Sequence, residues 1–174
     1  MSPSASHPPP RATPLYTPQE RARRDASPWT LVQGILAPVQ FVVFLVSLGL
    51  VLRCLATGEG AAAAEVSVVV KTLVLYTIMV TGSIWEKRVF GVWLFARPFF
   101  WEDVFSMLVL ALHTAYLVAL ATRSLSTSAL MVLALAAYAT YVINATQFLL
   151  KLRAARLDAA RTAPPGMAAG EVAA

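Results

Sequence analysis

Four long apolar segments, separated by short polar stretches, dominate the pattern along the chain. They are Leu31–Leu52, Val66–Trp85, Val104–Ala121 and Ala129–Leu150. Each has roughly 20 residues, which is the length that an α-helix needs to cross the hydrocarbon core of a bilayer. The pattern therefore predicts one all-α, polytopic integral membrane domain with four transmembrane helices, in which the helices are numbered one to four along the chain.

The segments that flank these spans are polar. Residues 1–17 are rich in Pro, Ser and Ala and predict a disordered N-terminal tail, and residues 154–174 predict a polar, disordered C-terminal tail. The membrane domain then covers residues 18–153. Within it, Thr17-Pro18-Gln19-Glu20 has a Thr cap, a Pro at the first helical position and an acid in the first turn, which predicts a short interfacial helix over 18–28.

Composition excludes several classes of protein. Of the 174 residues 58% are hydrophobic and 13% are charged, which is too little charge to cover the surface of a soluble domain. Cys54 is the single cysteine, so the chain forms no internal disulfide and no cysteine-based metal cluster. About thirty polar residues precede the first span, so we do not expect that span to be a cleaved signal peptide.

The basic residues are distributed unevenly. Eleven of the 14 Lys and Arg residues lie in the N-terminal tail, the loop between helices two and three, and the C-terminal tail. The two opposite loops hold only Arg53 and Arg123, and Lys71 lies inside the second span, where we expect it to snorkel outward. This asymmetry predicts that both termini are cytoplasmic. It also explains the net charge of +5 without a nucleic-acid partner.

The loop between helices two and three carries an unusual number of aromatic residues. Charged residues bracket them, and Arg97-Pro98 marks a turn in the middle. The aromatic residues are Phe90, Trp93, Phe95, Phe99, Phe100 and Trp101. We expect this loop to lie in the membrane interface or to fold back over the helix ends.

Three carboxylates at the ends of this loop are candidates for chemistry. Glu102 and Asp103 open helix three. Either the helix dipole, which favours negative charge at this end, explains both acids, or the two form a pair in which one is a general acid and the other a general base. Glu86 ends helix two, where the dipole disfavours it. Either a pair with Lys87 or Arg88 or a role in proton transfer explains it.

Polar residues also follow single faces of helices three and four. Helix three places Glu102, Ser106, Val109, His113 and Tyr116 within one arc of roughly 80°. Glu102 and His113 are then about 16 Å apart along the axis, so they suit opposite ends of a large flat ligand, or else His113 bonds a neighbouring helix while Glu102 caps its own. Helix four aligns Thr140, Asn144, Gln147 and Lys151, which favours interhelical hydrogen bonds over ligand contact. The short connection after helix three predicts that helices three and four are antiparallel neighbours.

Several motifs together resemble the 2-vinyl bacteriochlorophyllide hydratase family, over about Tyr16 to Arg153. They are Ser27-Pro28-Trp29-Thr30-Leu31-Val32-Gln33-Gly34, Ala56-Thr57-Gly58-Glu59-Gly60, Ser83-Ile84-Trp85-Glu86-Lys87, Phe99-Phe100-Trp101-Glu102-Asp103 and Leu112-His113-Thr114-Ala115-Tyr116. The resemblance implies a lyase of bacteriochlorophyll biosynthesis that adds water to the C3-vinyl group of a chlorophyllide-type tetrapyrrole to give a 1-hydroxyethyl group. It implies a multi-pass protein of the bacterial inner, intracytoplasmic photosynthetic membrane, with no cofactor of its own because the substrate carries magnesium. Partners would be membrane lipid, a second copy of the chain, or other enzymes of pigment synthesis.

For that reaction the chain offers residues in distinct roles. Hydration needs a general acid and a general base: we expect Glu102 or Asp103 as the acid and Glu86 as the base. His113 is expected to ligate the substrate magnesium or to hydrogen-bond the macrocycle. The other expected substrate contacts are Trp85, Phe99, Phe100 and Trp101 by stacking, Lys87, Arg88 or Arg97 with a propionate, and Tyr116 and Asn144 deeper in the membrane.

Two other classes of function compete with this interpretation. A non-catalytic pigment-binding or photosynthetic assembly protein would use the same histidine and aromatics but would tolerate loss of the acids. A small proton-coupled exporter needs an acid in mid-span, and every acid here lies at a helix end or in a loop. The sequence therefore favours the hydratase.

Overall fold

The computed structural model describes the backbone of residues 15–162 and consists of helices. Four of them are long and apolar enough to cross a membrane, which confirms the predicted all-α fold with four candidate spans. A short 3-10 turn, Arg97–Phe99, precedes the fourth helix. The helices are α1 (Pro18–Ala26), α2 (Pro28–Thr57), α3 (Ala61–Phe90), α4 (Phe100–Thr122) and α5 (Thr127–Thr162).

The spanning helices are longer than the apolar segments that predict them. α2 and α3 each have 30 residues, or about 45 Å, against about 30 Å of bilayer hydrocarbon. Hydropathy detects only the apolar part of a helix, whereas the helix itself continues to the residue at which its backbone hydrogen bonding ends. Here Gly58 and Gly91 end α2 and α3 in the left-handed region, at φ values of 72° and 83° that a side chain disfavours.

The N-terminal helix begins as predicted. The Thr17 hydroxyl accepts a hydrogen bond from the Glu20 amide, and the Glu20 carboxylate accepts one from the Thr17 amide, which completes a capping box. α1 ends at Ala26 because Ser27-Pro28 already starts α2. Just before it, Tyr16 is buried against Phe90, and burial raises the pKa of its phenol.

The predicted tails fall only partly on described residues. Residues 1–14 and 163–174 lie outside the described part of the chain. Within it, Tyr16 at the end of the predicted N-terminal tail is 6% exposed, and α5 continues through residues 154–162. The last helix is therefore longer than the span Ala129–Leu150 that hydropathy predicts.

The four long helices form two antiparallel hairpins. α2 packs along α3, and α4 packs along α5, as the short connection after α4 predicts. The starts of α2 and α4 and the ends of α3 and α5 meet at one end of the bundle, which we call the rim. There the Trp85 indole donates to the Thr30 hydroxyl at 3.0 Å, and Lys151 contacts Glu102.

Polar contacts hold the helices together between apolar surfaces that face outward. Because lipid is as apolar as a leucine side chain, packing and interhelical hydrogen bonds drive helix association in membranes. The Tyr138 and Ser47 hydroxyls lie 2.5 Å apart, and the Asn144 amide donates to the Ser106 hydroxyl at 2.8 Å. The Asn144 contact confirms the predicted interhelical bonding from this face of α5.

Candidate active site

The most distinctive feature of the rim is a pair of buried carboxyl groups. Glu86, at the end of α3, is 5% exposed, and Asp103, in the first turn of α4, is 4% exposed. Each accepts a hydrogen bond from one of two consecutive backbone amides, which brings the two carboxyl groups near each other. The chain thus brings together two acids that are 17 positions apart in the sequence.

Two consecutive backbone amides hold this carboxyl pair in place. The Phe95 amide donates to Asp103 Oδ2 at 2.7 Å, and the Ala96 amide donates to Glu86 Oε2 at 3.1 Å. Phe95 adopts a left-handed backbone with φ of 61°, which is strained for an aromatic residue and is often found at functional sites. Sequence reasoning missed these two residues because a backbone amide leaves no signature in the residue type.

Glu102 belongs to a different contact from its neighbour Asp103. Its Oε2 lies 2.6 Å from Lys151 Nζ on α5, and the same ammonium donates to the Pro98 carbonyl. We call this contact, formed by Pro98, Glu102 and Lys151, the latch. It ties the 3-10 turn and α4 to α5, so Glu102 is engaged in holding the loop rather than in the carboxyl pair.

The structure excludes one of the two explanations for Glu86, the pair with Lys87 or Arg88. Neither Lys87 nor Arg88 pairs with it: Lys87 Nζ donates to the Gly91 carbonyl at 2.8 Å, and Arg88 is exposed. Lys87 therefore caps the end of α3, and the amide of Ala96 is the contact that Glu86 receives.

The aromatic residues of the loop divide into an inner and an outer group. Trp85 packs edge-on against Phe99 in the interior, with ring centroids 5.7 Å apart. Phe100 and Trp101 lie on the outside, where Trp101 is 67% exposed. Arg97 is exposed beside them. Of the predicted stacking residues, only the outer ones are free to touch a ligand that approaches from outside.

A second polar cluster lies deeper in the bundle, about 15 Å from Asp103 along α4. His113 and Tyr116 are fully buried there, as predicted from the polar face of helix three, the third predicted span, which corresponds to α4. The His113 Nδ1 contacts the Val109 carbonyl at 2.8 Å, while its Nε2 and the Tyr116 hydroxyl have no hydrogen-bond partner among the described side chains. The His113 ring also lies 5.9 Å from that of Tyr138.

Lys71 belongs to the deep cluster, so the expectation that it snorkels outward is wrong. Its side chain is 0% exposed, and its Nζ lies 3.9 Å from the centroid of the Tyr141 ring on α5. Lys71 is ten residues, or about 15 Å, from the start of α3, and it lies on the face that packs against α5. A side chain on that face points between helices and cannot reach water, which the position along the sequence does not reveal.

Comparison with known proteins gives a single family. Residues 16–154 match the family model described as 2-vinyl bacteriochlorophyllide hydratase. The protein of that name from Cereibacter sphaeroides is 70% identical over 144 residues, which cover 83% of this chain and 89% of the relative. The protein of that name from Rhodobacter capsulatus is 69% identical over 146 residues, covering 84% of this chain and 85% of the relative. No solved structure matches the chain significantly. The chain therefore belongs to the 2-vinyl bacteriochlorophyllide hydratase family.

Proposed function

We propose that this protein is a hydratase of bacteriochlorophyll biosynthesis, as both named relatives are, and that it acts as a lyase-class enzyme on the vinyl group of a bacteriochlorophyllide. Water is added across the double bond, and the product carries a 1-hydroxyethyl group. The observation that carries the proposal is the carboxyl pair of Glu86 and Asp103. Addition of water to an alkene needs one proton donor and one proton acceptor near the same two carbons, and this pair provides both.

The reaction balances with these two groups alone. A protonated carboxyl gives its proton to the terminal vinyl carbon, which becomes a methyl group. The positive charge develops on the carbon next to the ring, where conjugation spreads it. A water oxygen bonds to that carbon and gives one proton to the ionised carboxylate. Because the two carboxyl groups are neighbours, that proton can pass back between them and restore the starting state.

Helix geometry supports an assignment of the two roles. Asp103 lies at the start of α4, where the helix dipole favours a negative charge, and it accepts the shorter amide hydrogen bond, 2.7 Å. Glu86 lies at the end of α3, where the dipole disfavours a negative charge. We therefore assign Glu86 as the proton donor and Asp103 as the acceptor, the reverse of the roles that the sequence suggests.

We infer that His113 contacts the metal that the substrate carries. If its Nδ1 carries the proton and donates to the Val109 carbonyl, Nε2 keeps a lone pair. Histidines that ligate metals commonly have this arrangement, with the second nitrogen fixed by a carbonyl. We propose that His113 is the axial ligand of the substrate magnesium, and that Tyr116 and Asn144 contact the macrocycle beside it.

We also propose that the rim faces the cytoplasm in the bacterial inner membrane. Within residues 15–157, nine basic residues belong to the rim segments and only Arg53 and Arg123 to the opposite loops, which follows the positive-inside rule. The rim residues are Arg21, Arg23, Arg24, Lys87, Arg88, Arg97, Lys151, Arg153 and Arg156. The substrate would then enter from the cytoplasmic interface.

The exposed arginines at the rim suit the propionate of the substrate. We expect that Arg88→Gln and Arg97→Gln each raise KM by up to about fivefold, because an exposed ion pair contributes less than about 1 kcal/mol. Steady-state kinetics with two forms of the pigment, one with a free propionate and one with the propionate as its methyl ester, measure the effect. The ester should show no difference between variant and wild type, and Arg53→Gln at the opposite end serves as the control. An equal rise in KM for both pigments would contradict a propionate contact.

Isotope incorporation tests the proposed reaction directly. Membranes that contain the protein are incubated with a vinyl pigment in D2O or in water enriched in ¹⁸O. We expect deuterium in the new methyl group, ¹⁸O in the new hydroxyl group, and an absorption shift from the loss of vinyl conjugation. A pigment that binds but is recovered unchanged would instead indicate the competing function, a pigment-binding or assembly protein.

A further inference from the structure

The structure buries a lysine ammonium group in the middle of the bundle. Lys71 is 0% exposed, and its Nζ has no hydrogen-bond partner among the described residues. A charged group at this depth is costly and marks a functional site by default. The mechanism at the carboxyl pair does not use it.

The surroundings of Lys71 supply only part of what an ammonium needs. The Tyr141 ring faces it at 3.9 Å, a cation–π contact that offsets part of the cost of removing the charge from water. The three N–H donors of an ammonium still need acceptors. One turn from Tyr141 on α5, Tyr138 packs against His113, so the lysine and the histidine approach neighbouring rings on the same helix face.

Lys71 and the carboxyl pair lie at opposite ends of one surface, the seam between the two hairpins. The backbones of α3 and α4 approach each other over a shorter stretch than those within either hairpin. Between the two ends, the side chains packed in the seam are mainly apolar and buried, including Leu75 of α3 and Val109 of α4. A flat ligand that separates the two hairpins along the seam therefore meets mainly apolar side chains on both sides.

The length of the seam accommodates a tetrapyrrole. Lys71 and Glu86 are fifteen residues apart on α3, or about 22 Å. From ordinary bond lengths, substituents on opposite rings of a tetrapyrrole are roughly 13 Å apart. With contacts of about 3 Å at each end, a bound tetrapyrrole takes up roughly 19 Å of that rise, and the Lys71 and Glu86 side chains span the remainder. The metal at the centre would then lie near the level of His113.

We propose that Lys71 binds a carbonyl oxygen on the edge of the macrocycle opposite the vinyl group. The inference rests on the proposed function and extends it to the far end of the substrate. Chlorophyll-type pigments carry a keto group conjugated with the ring opposite the vinyl-bearing ring, and such an oxygen is a strong acceptor for an ammonium. In the ligand-free protein the Tyr141 ring is the partner of the ammonium instead of that carbonyl. Lys71 thereby determines which substituent of the macrocycle reaches Glu86 and Asp103.

The test combines a variant with a change in the pigment. The Lys71→Met variant removes the donor and keeps most of the side-chain length. Binding and turnover are measured for a vinyl pigment with its keto group and for the same pigment with the keto group replaced by CH2. Vibrational spectra of the bound pigment report the keto stretching frequency, which falls when the oxygen accepts a hydrogen bond. Thr72→Val, at a buried neighbour whose hydroxyl bonds within α3, is the control.

The expected result is specific to the keto pigment. Lys71→Met should weaken its binding about tenfold or more, as loss of a charge-assisted hydrogen bond does, and should return the keto band to the frequency of the free pigment. The pigment without the keto group should bind both proteins equally. Equal weakening of both pigments, or a keto band in the wild type at the free frequency, would overturn the proposal.

Two further measurements keep the result interpretable. If Lys71→Met does not fold, the keto band of the wild-type complex alone decides, and Lys71→Gln tests whether a neutral donor retains part of the shift. Hydration by the wild type of the pigment without its keto group shows that the proposed reaction stands even when the Lys71 contact fails. The same vibrational spectra report the coordination of the magnesium. If Lys71→Met changed the magnesium bands but not the keto band, Lys71 would act through His113, which also overturns the proposal.

Discussion

Replacement of Glu86 by Gln, or of Asp103 by Asn, should lower the rate of vinyl hydration by about 10²- to 10⁴-fold, which is the usual contribution of a positioned acid or base. Both amides keep the shape of the carboxyl group, so the loop contacts from Phe95 and Ala96 can persist. Turnover is followed by the absorption shift on loss of the vinyl group. Glu59→Gln, at an exposed position at the opposite end of the bundle, should be as active as the wild type.

The two variants should also differ from each other in their pH profiles. Loss of the proton acceptor Asp103 should remove the acidic limb of the rate profile, and loss of the donor Glu86 should remove the alkaline limb. Glu102→Gln tests whether Glu102 is a catalytic acid, as the sequence allows, or lies outside the carboxyl pair, as the structure indicates. Glu102 contacts Lys151 rather than the pair. If Glu102→Gln were as inactive as Asp103→Asn while the fold was kept, the proposed pair would be wrong.

The second large effect concerns the latch of Pro98, Glu102 and Lys151. Lys151→Met should lower the stability of the protein by about 1–3 kcal/mol, the cost typical of losing hydrogen bonds to a charged group and leaving a buried acceptor unsatisfied. Glu102 is the buried partner, since 8% of its side chain is exposed against 28% for Lys151. Thermal unfolding in detergent measures the change. Arg153→Met, an exposed basic residue two positions further along α5, is the matched control.

A double-mutant cycle isolates the contact itself. Because Glu102→Gln no longer leaves a charge without its partner, the double variant Glu102→Gln with Lys151→Met should be less destabilised than the sum of the single variants. The loop should also loosen, so limited proteolysis between residues 91 and 99 should become faster in Lys151→Met. Strict additivity of the two single effects would show that Lys151 does not stabilise the protein through Glu102.

The sequence by itself determined the features that depend on neighbours in the chain. The four spans follow from apolar length, the start of α1 from the cap at Thr17, and the buried face of α4 from the helical period that aligns Ser106, His113 and Tyr116. Each of these features depends on the polarity of one segment or on contacts between residues a few positions apart, so the local sequence is enough to predict it. The family resemblance likewise comes from contiguous motifs.

Only the tertiary structure decided which of the candidate groups meet. Glu102 and Asp103 are adjacent in the chain, yet one contacts Lys151, 49 positions away from Glu102, and the other lies beside Glu86. The rotation of α3 about its axis decides that Lys71 points inward to Tyr141 rather than outward. Pairings of this kind depend on how two hairpins pack against each other, and in a uniformly apolar environment the hydropathy pattern does not determine that packing.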